Sequence, residues 1–195
     1  MAAGGCKAFL GSRGDAIAAG LLAAGTLVLL VATLGDFGMA WDEGFTVERE
    51  ERLREWFARV AGDSSPESRA WTPVFSKLEP RSDYLRRAGP AAGSPWSRES
   101  LRFYWQFARE EPNGHPPFYA LLGLAGWAVG HRVLPPPESY RLGPAALFAL
   151  TVGAVYAVMA RHYGRAAGAM AALGLVTMPR VFAHAHLASY DAPMS

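Results

Sequence analysis

One cysteine, Cys6, is all that this chain of 195 residues contains. That excludes an internal disulfide framework and any zinc site built on cysteine thiolates. Nor does an apolar run precede Cys6, so it does not read as a lipoprotein cysteine. Net charge is also scarce, at +2. The basic residues are scattered among acids and form no stripe, which excludes nucleic acid as a partner. A Gly-rich nucleotide loop is missing too. Charge is absent altogether from residues 16–35, 142–160 and 166–178.

What the chain does have is hydrophobic residues, 51% of the total, gathered into blocks. Residues 16–35 carry Leu21, Leu22, Leu27, Val28, Leu29, Leu30 and Val31, and match the roughly 20 residues that a transmembrane helix needs. The run at 142–160 is of similar length. The third run is shorter and continues through Arg180 into Val181, Phe182 and Ala183. All three predict membrane helices. Lys7 and Arg13 before the first run, with Gly38-Met39-Ala40 after it, leave a cleaved signal peptide as the alternative there. The apolar segment exceeds the roughly 7–15 residues of a signal core and further runs follow it, so we read an uncleaved anchor.

Residues 36–115 are polar and rich in Pro, Ser, Arg and Glu, and belong outside the hydrocarbon. Two helices are predicted within them. In 45–60, Leu53, Trp56, Phe57 and Val60 recur at helical spacing, with Glu48/Arg52 and Glu51/Glu55 on the other faces. In 97–109, Leu101, Tyr104, Trp105 and Ala108 repeat the pattern, with Ser97 as N-cap. Such helices suit a membrane surface; packing on each other as a small cap is the alternative. Residues 88–97 form a Gly/Pro/Ser loop between them. The uncharged stretch 116–130 is short for a span and reads as re-entrant or interfacial. Pro135-Pro136-Pro137 then breaks the chain before the next run.

Short loops rich in Arg and Lys favour the cytoplasmic side. Lys7 and Arg13 precede the first helix, and Arg161, His162 and Arg165 fill the turn between the later runs. If 116–133 does not cross, Asp42, Glu43, His115 and Asp191 share the non-cytoplasmic face. If it crosses, Asp191 is cytoplasmic. The non-crossing arrangement is the one we expect.

Three signals carry chemistry. Asp42 and Glu43 are adjacent acids in an aromatic, close-packed setting, Trp41 to Phe45, where a helix leaves the bilayer. A carboxylate near low dielectric suits a general base, although acids also flank membrane helices simply for solvation. His115 is held before Pro116-Pro117 at the start of an apolar helix. In 179–191, Arg180, His184 and Asp191 share a face at offsets of four and seven if the segment is helical, and ionisable groups at the end of a membrane helix are functional candidates. The His184-x-His186 spacing does not read as zinc, because rings two apart on a helix diverge.

Taken in this order, the signals resemble the multipass glycosyltransferases of the GT-C superfamily that use polyprenyl-phosphate sugars, in particular the protein O-mannosyltransferase and aminoarabinose transferase group. Asp42-Glu43 matches the Asp-Glu pair of the first external loop. His115-Pro116-Pro117-Phe118-Tyr119 matches a His-Pro-Pro-Leu-Tyr-like segment, and Pro179 with Asp191 matches a Ser-Pro-type turn followed by a second acid. Relatives often carry Arg five residues before that acid, where this chain has His186; Arg180 or His184 would supply the charge instead.

The resemblance implies a mainly α fold, a multipass membrane helical bundle with an external loop of juxtamembrane helices. The implied layout is a cytoplasmic tail 1–15, spans at 16–35, 142–160 and 166–187, an external loop 36–141, and the start of a second external loop at 188–195. It implies that the chain is the N-terminal piece of a longer enzyme of the plasma (inner) membrane with its site on the non-cytoplasmic side. The implied reaction is inverting transfer of a sugar from a polyprenyl-phosphate donor to an acceptor hydroxyl. Asp42 would be the base, Glu43 and Asp191 would orient it or hold a divalent cation, and His115, Arg180, His184 and His186 would face the donor phosphate. The rival reading is a non-enzymatic multipass membrane protein, a transporter or assembly subunit with an external cap.

Overall fold

The computed structural model describes residues 13–38, 43–63, 94–105 and 117–188. Among them the chain is mainly helical and contains no strand. In order come α1 (Arg13–Thr33), a 3-10 turn (Leu34–Asp36), α2 (Glu43–Val60), α3 (Arg98–Trp105), α4 (Phe118–Gly130), α5 (Glu138–Tyr163), α6 (Arg165–Thr177) and α7 (Pro179–Ala185). Among the described residues two helices are long and apolar enough to cross a membrane: Arg13–Asp36, counting the 3-10 turn, and Glu138–Tyr163. Two compact units emerge, and their boundary falls inside α5 between Gly143 and Pro144.

The first unit holds α1, α5 from Pro144 onward, α6 and α7. Its core is Leu30, Ala145, Phe148, Val152, Tyr156, Ala172 and Ala185. Small residues bring the backbones together, as they do where membrane helices associate. Gly153 of α5 lies against the Ala19 carbonyl of α1, and Gly168 of α6 against Tyr156 and Ala160 of α5. Gly164 turns α5 into α6 with φ +92, a conformation that only glycine takes without strain. Arg165 Nε bonds Asp15 Oδ1 at 2.7 Å, so the start of α1 and the α5–α6 turn lie at the same end of this unit, and α5 runs antiparallel to α1. Outward, Ile17, Leu21, Val28, Leu150, Met170 and Leu173 are exposed, as a lipid-facing surface requires.

The third apolar run is not one straight helix. α6 and α7 meet at 70°, so the span expected over 166–187 is matched only if this bent pair counts as one span. Pro179 has no N–H to give and disfavours the helical region for the residue before it; Met178 accordingly sits at φ −70, ψ 110.

The second unit contains α2, α3, α4 and the first turns of α5, with residue 188. Helix α2 covers the expected 45–60 and starts two residues earlier, at Glu43. Helix α3 begins as the sequence predicts: Ser97 Oγ accepts the Ser100 N–H at 3.1 Å, an N-cap bond. The aromatic faces of α2 and α3 pack on each other. Trp56 is buried, meets Trp96 and Trp105 edge to face at centroid distances of 5.0 and 5.1 Å, and donates its Nε1–H to the Pro95 carbonyl. Phe57 and Val60 remain exposed. Helix α4 has 13 residues, or about 20 Å at 1.5 Å per residue, shorter than a hydrocarbon core of about 30 Å. Gly126 and Gly143 let α4 and α5 touch backbone to backbone.

The faces of α2 opposite the aromatics are buried as well, where the periodicity suggested charged backs. Glu43, Glu48, Glu50, Glu51 and Arg52 are all enclosed. They tolerate burial because most have partners: Arg52 bonds Glu48 one turn away and lies over the Phe103 ring, and the rest meet α4 and α5.

Candidate functional site

The site is built around Glu43, in the first turn of α2, where a carboxylate is favoured by the helix dipole. Its partner is Arg141, in the first turns of α5. Arg141 Nε reaches Glu43 Oε1 at 2.7 Å and Nη2 reaches Oε2 at 2.8 Å, a fork-to-fork pair. Both side chains are buried, at 1% and 0% exposure. The Ala188 N–H donates to Glu43 Oε1 at 2.8 Å. This one carboxylate therefore ties the start of α2 to residues 98 and 145 positions away in the chain.

Two turns further along α2, Glu51 accepts from Tyr140 Oη and from Arg54 Nη2, the latter at 2.6 Å. Arg54 lies over the Trp127 ring of α4, which stacks on His131 and Tyr140. Val47, Tyr140 and Ala188 close the apolar side, with Trp127 against them. Glu50 points at the notch left by Gly123 of α4. It is fully buried, and neither oxygen has a hydrogen-bond partner among the described residues. Burial pushes its carboxyl well above the usual carboxylate range, and the neighbouring Glu43 and Glu51 charges add to the shift.

Of the residues singled out in the sequence, Asp42, His115 and Asp191 lie outside the described residues. Glu43 is central. Its oxygens face a guanidinium and a backbone N–H, which suits positioning rather than proton abstraction or metal ligation. Among the described residues no group of three or more His, Cys, Asp or Glu could hold a metal ion. Arg180 is exposed in the first turn of α7, and His184 sits half-buried on the same helix. Helix α7 ends at Ala185, so the shared face unites Arg180 with His184 and does not extend along the helix to Asp191.

His186 is buried in the first unit. Its Nδ1 lies 2.7 Å from the Phe182 carbonyl, to which it donates, and its Nε2 lies 2.7 Å from the Thr33 hydroxyl. Its ring stacks on Phe37 at 4.2 Å. These contacts make it a tie between the end of α1 and α7.

Sequence reasoning missed Arg141, Glu50 and Glu51 as members of the site. Arg141 had a signal, being an arginine directly before an apolar run, but arginines there are commonly solvated. Glu50 and Glu51 had none, since their burial depends on α4 and α5. The chain matches no family model, no curated protein and no solved structure.

Proposed function

We propose that this chain carries active-site residues of a membrane glycosyltransferase, which moves a sugar from a polyprenyl phosphate to an acceptor hydroxyl with inversion. The observation that carries the reading is the Ala188 N–H bond to Glu43. Asp42 is the residue before Glu43, and Asp191 is three residues after Ala188, at most about 11 Å of chain. The bond joins the two chain segments that bear the motif acids, as a site using both requires. The antiparallel run of α1 and α5 adds support, because residues 38 and 144 then leave and enter their unit at one end, which suits the non-crossing arrangement.

In this mechanism the acceptor O–H attacks the anomeric carbon from the face opposite the phosphate. The bond between that carbon and the phosphate oxygen breaks, the electron pair leaves with the lipid phosphate, and the hydroxyl proton passes to Asp42. Glu43, held by Arg141, is a positioning residue that fixes the backbone beside Asp42. His115 supplies positive charge for the departing phosphate, and such electrostatic stabilisation is strongest where water is excluded. Asp191 orients the acceptor.

The test is transfer from polyprenyl-phosphate sugars by the protein in proteoliposomes. Asp42→Asn keeps the shape and cannot take the proton, so turnover should fall by about 10²–10⁴-fold with donor binding little changed. Near-normal turnover in that variant would remove Asp42 as the base and the mechanism with it.

A further inference from the structure

Among the described residues, the charges buried between α2, α4 and α5 do not balance unless one acid is neutral. Gathered between α2, α4 and α5 are the carboxyls of Glu43, Glu50 and Glu51 and the guanidiniums of Arg54 and Arg141. Glu43 is matched by Arg141, and Glu51 by Arg54 with the Tyr140 hydroxyl. Glu50 is the surplus acid. Helix α4 presents it only the backbone of Gly123, where a Cβ would overlap the carboxyl. The single titratable side chain of α4, Tyr119, accepts a bond from Arg49 instead. At the start of α5, Tyr140 and Arg141 are already engaged by Glu51 and Glu43, and neither the Ser139 hydroxyl nor Glu138 Oε2 has a hydrogen-bond partner among the described residues. A buried carboxylate with no donor is strongly disfavoured, whereas the neutral acid is tolerated.

We propose that Glu50 is a proton-holding positioning residue: with its proton it seats α2 on α4 and leaves Arg141 to Glu43, and without it the surplus charge drives α2 off α4 and loosens the Glu43–Arg141 clamp. The inference concerns the regulation of the same site and rests on the transferase reading only for what is regulated; the proton itself can be counted without any transfer reaction. Desolvation, then repulsion from Glu43 and Glu51, holds the group well above its ordinary 4.5 in the folded chain. A folded value above the unfolded one means that the stabilisation is full below about 4.5 and is lost as pH rises through the folded value.

The experiment uses the full chain in lipid nanodiscs, labelled with carbon-13 at glutamate, and follows the carboxylic-acid carbonyl stretch in the infrared from acid to alkaline pH. Wild type should show a protonated glutamate near neutral pH that disappears at higher pH and is missing from Glu50→Gln. Between the unfolded and folded values, the wild-type folding constant should fall by up to about tenfold per pH unit relative to Glu50→Gln, the slope for one proton. Parallel pH dependence in the two chains would overturn the proposal. Should Glu50→Gln fail to fold, the wild-type spectrum decides by itself: glutamates all ionised near neutral pH overturn it. Either failure leaves the Asp42→Asn result untouched, so the two readings stand or fall separately.

Discussion

Arg141 and Glu43 sit in a part of the molecule where either one alone would be an uncompensated charge. Breaking a buried pair from one side typically costs about 3–5 kcal/mol, more than the pair itself contributes. Arg141→Met should therefore destabilise the second unit by about that amount. Glu43→Gln/Arg141→Met should recover part of the loss, because the amide still accepts the Ala188 N–H and no charge is stranded. Thermal unfolding in detergent, followed by tryptophan fluorescence, checks the order, since Trp56, Trp105 and Trp127 all lie in the second unit. A double variant as unstable as Arg141→Met alone would mean that stranded charge is not the cause. Tyr104 is a second residue whose setting is legible only in three dimensions. It donates to Glu55 at 2.8 Å and accepts from Arg59 at 2.7 Å, and burial first, then the Glu55 bond, raise its phenol to about 12. The phenol should accordingly stay protonated through an alkaline titration that ionises ordinary tyrosines near 10, as ultraviolet absorbance on Tyr104→Phe and wild type would show by difference.

At the scale of elements, the glycines of α4 and α5 separate two kinds of close approach. A methyl on Gly126 would meet the backbone of Gly143 and Ser139, and one on Gly143 would meet the Leu122 carbonyl. Backbone atoms in packed helices cannot step aside. A methyl on Gly123 would meet the end of the Glu50 side chain, which can swing. Overpacking typically costs about 1–3 kcal/mol, so Gly126→Ala and Gly143→Ala should lie at or above the top of that range and Gly123→Ala near the bottom. Adding Glu50→Ala should rescue Gly123→Ala and leave Gly143→Ala unrescued. Equal losses for the three single variants in a thermal shift series would contradict this account of the interface.

For the whole molecule the open quantity is the side of the membrane on which each acid lies. Arg13, Arg161 and Arg165 lie at one end of the first unit, where Asp15 meets Arg165, and Lys7 precedes Arg13 in the sequence; short positive loops favour the cytoplasmic side. The non-crossing arrangement proposed above puts residues 42, 115 and 191 on the opposite side. Asp42→Cys, His115→Cys and Asp191→Cys, each made in a Cys6→Ser background, should all react with an impermeant thiol reagent added outside intact cells. Reaction at position 42 without reaction at 191 would place Asp191 in the cytoplasm and divide the proposed site.

Local rules acting on neighbouring residues determined much of this protein from sequence alone. Uncharged runs set the two long apolar helices, helical spacing set α2 and α3, Ser97 set a cap, and the 15 uncharged residues of 116–130 set a short helix. Pro179 carried its break in plain view, yet was read as a turn within one span, because a run of apolar residues states length and says nothing of direction. The tertiary structure alone decided which side of α2 is inside. Glu48 and Arg52 satisfy each other within the helix, but Glu43 needs Arg141 and residue 188, Glu51 needs Tyr140, and Glu50 needs the missing side chain of Gly123. Burial of a charge is set by what meets it in space. For these acids the partners lie from 73 to 145 residues away along the chain, a separation at which spacing in the sequence carries no information about contact.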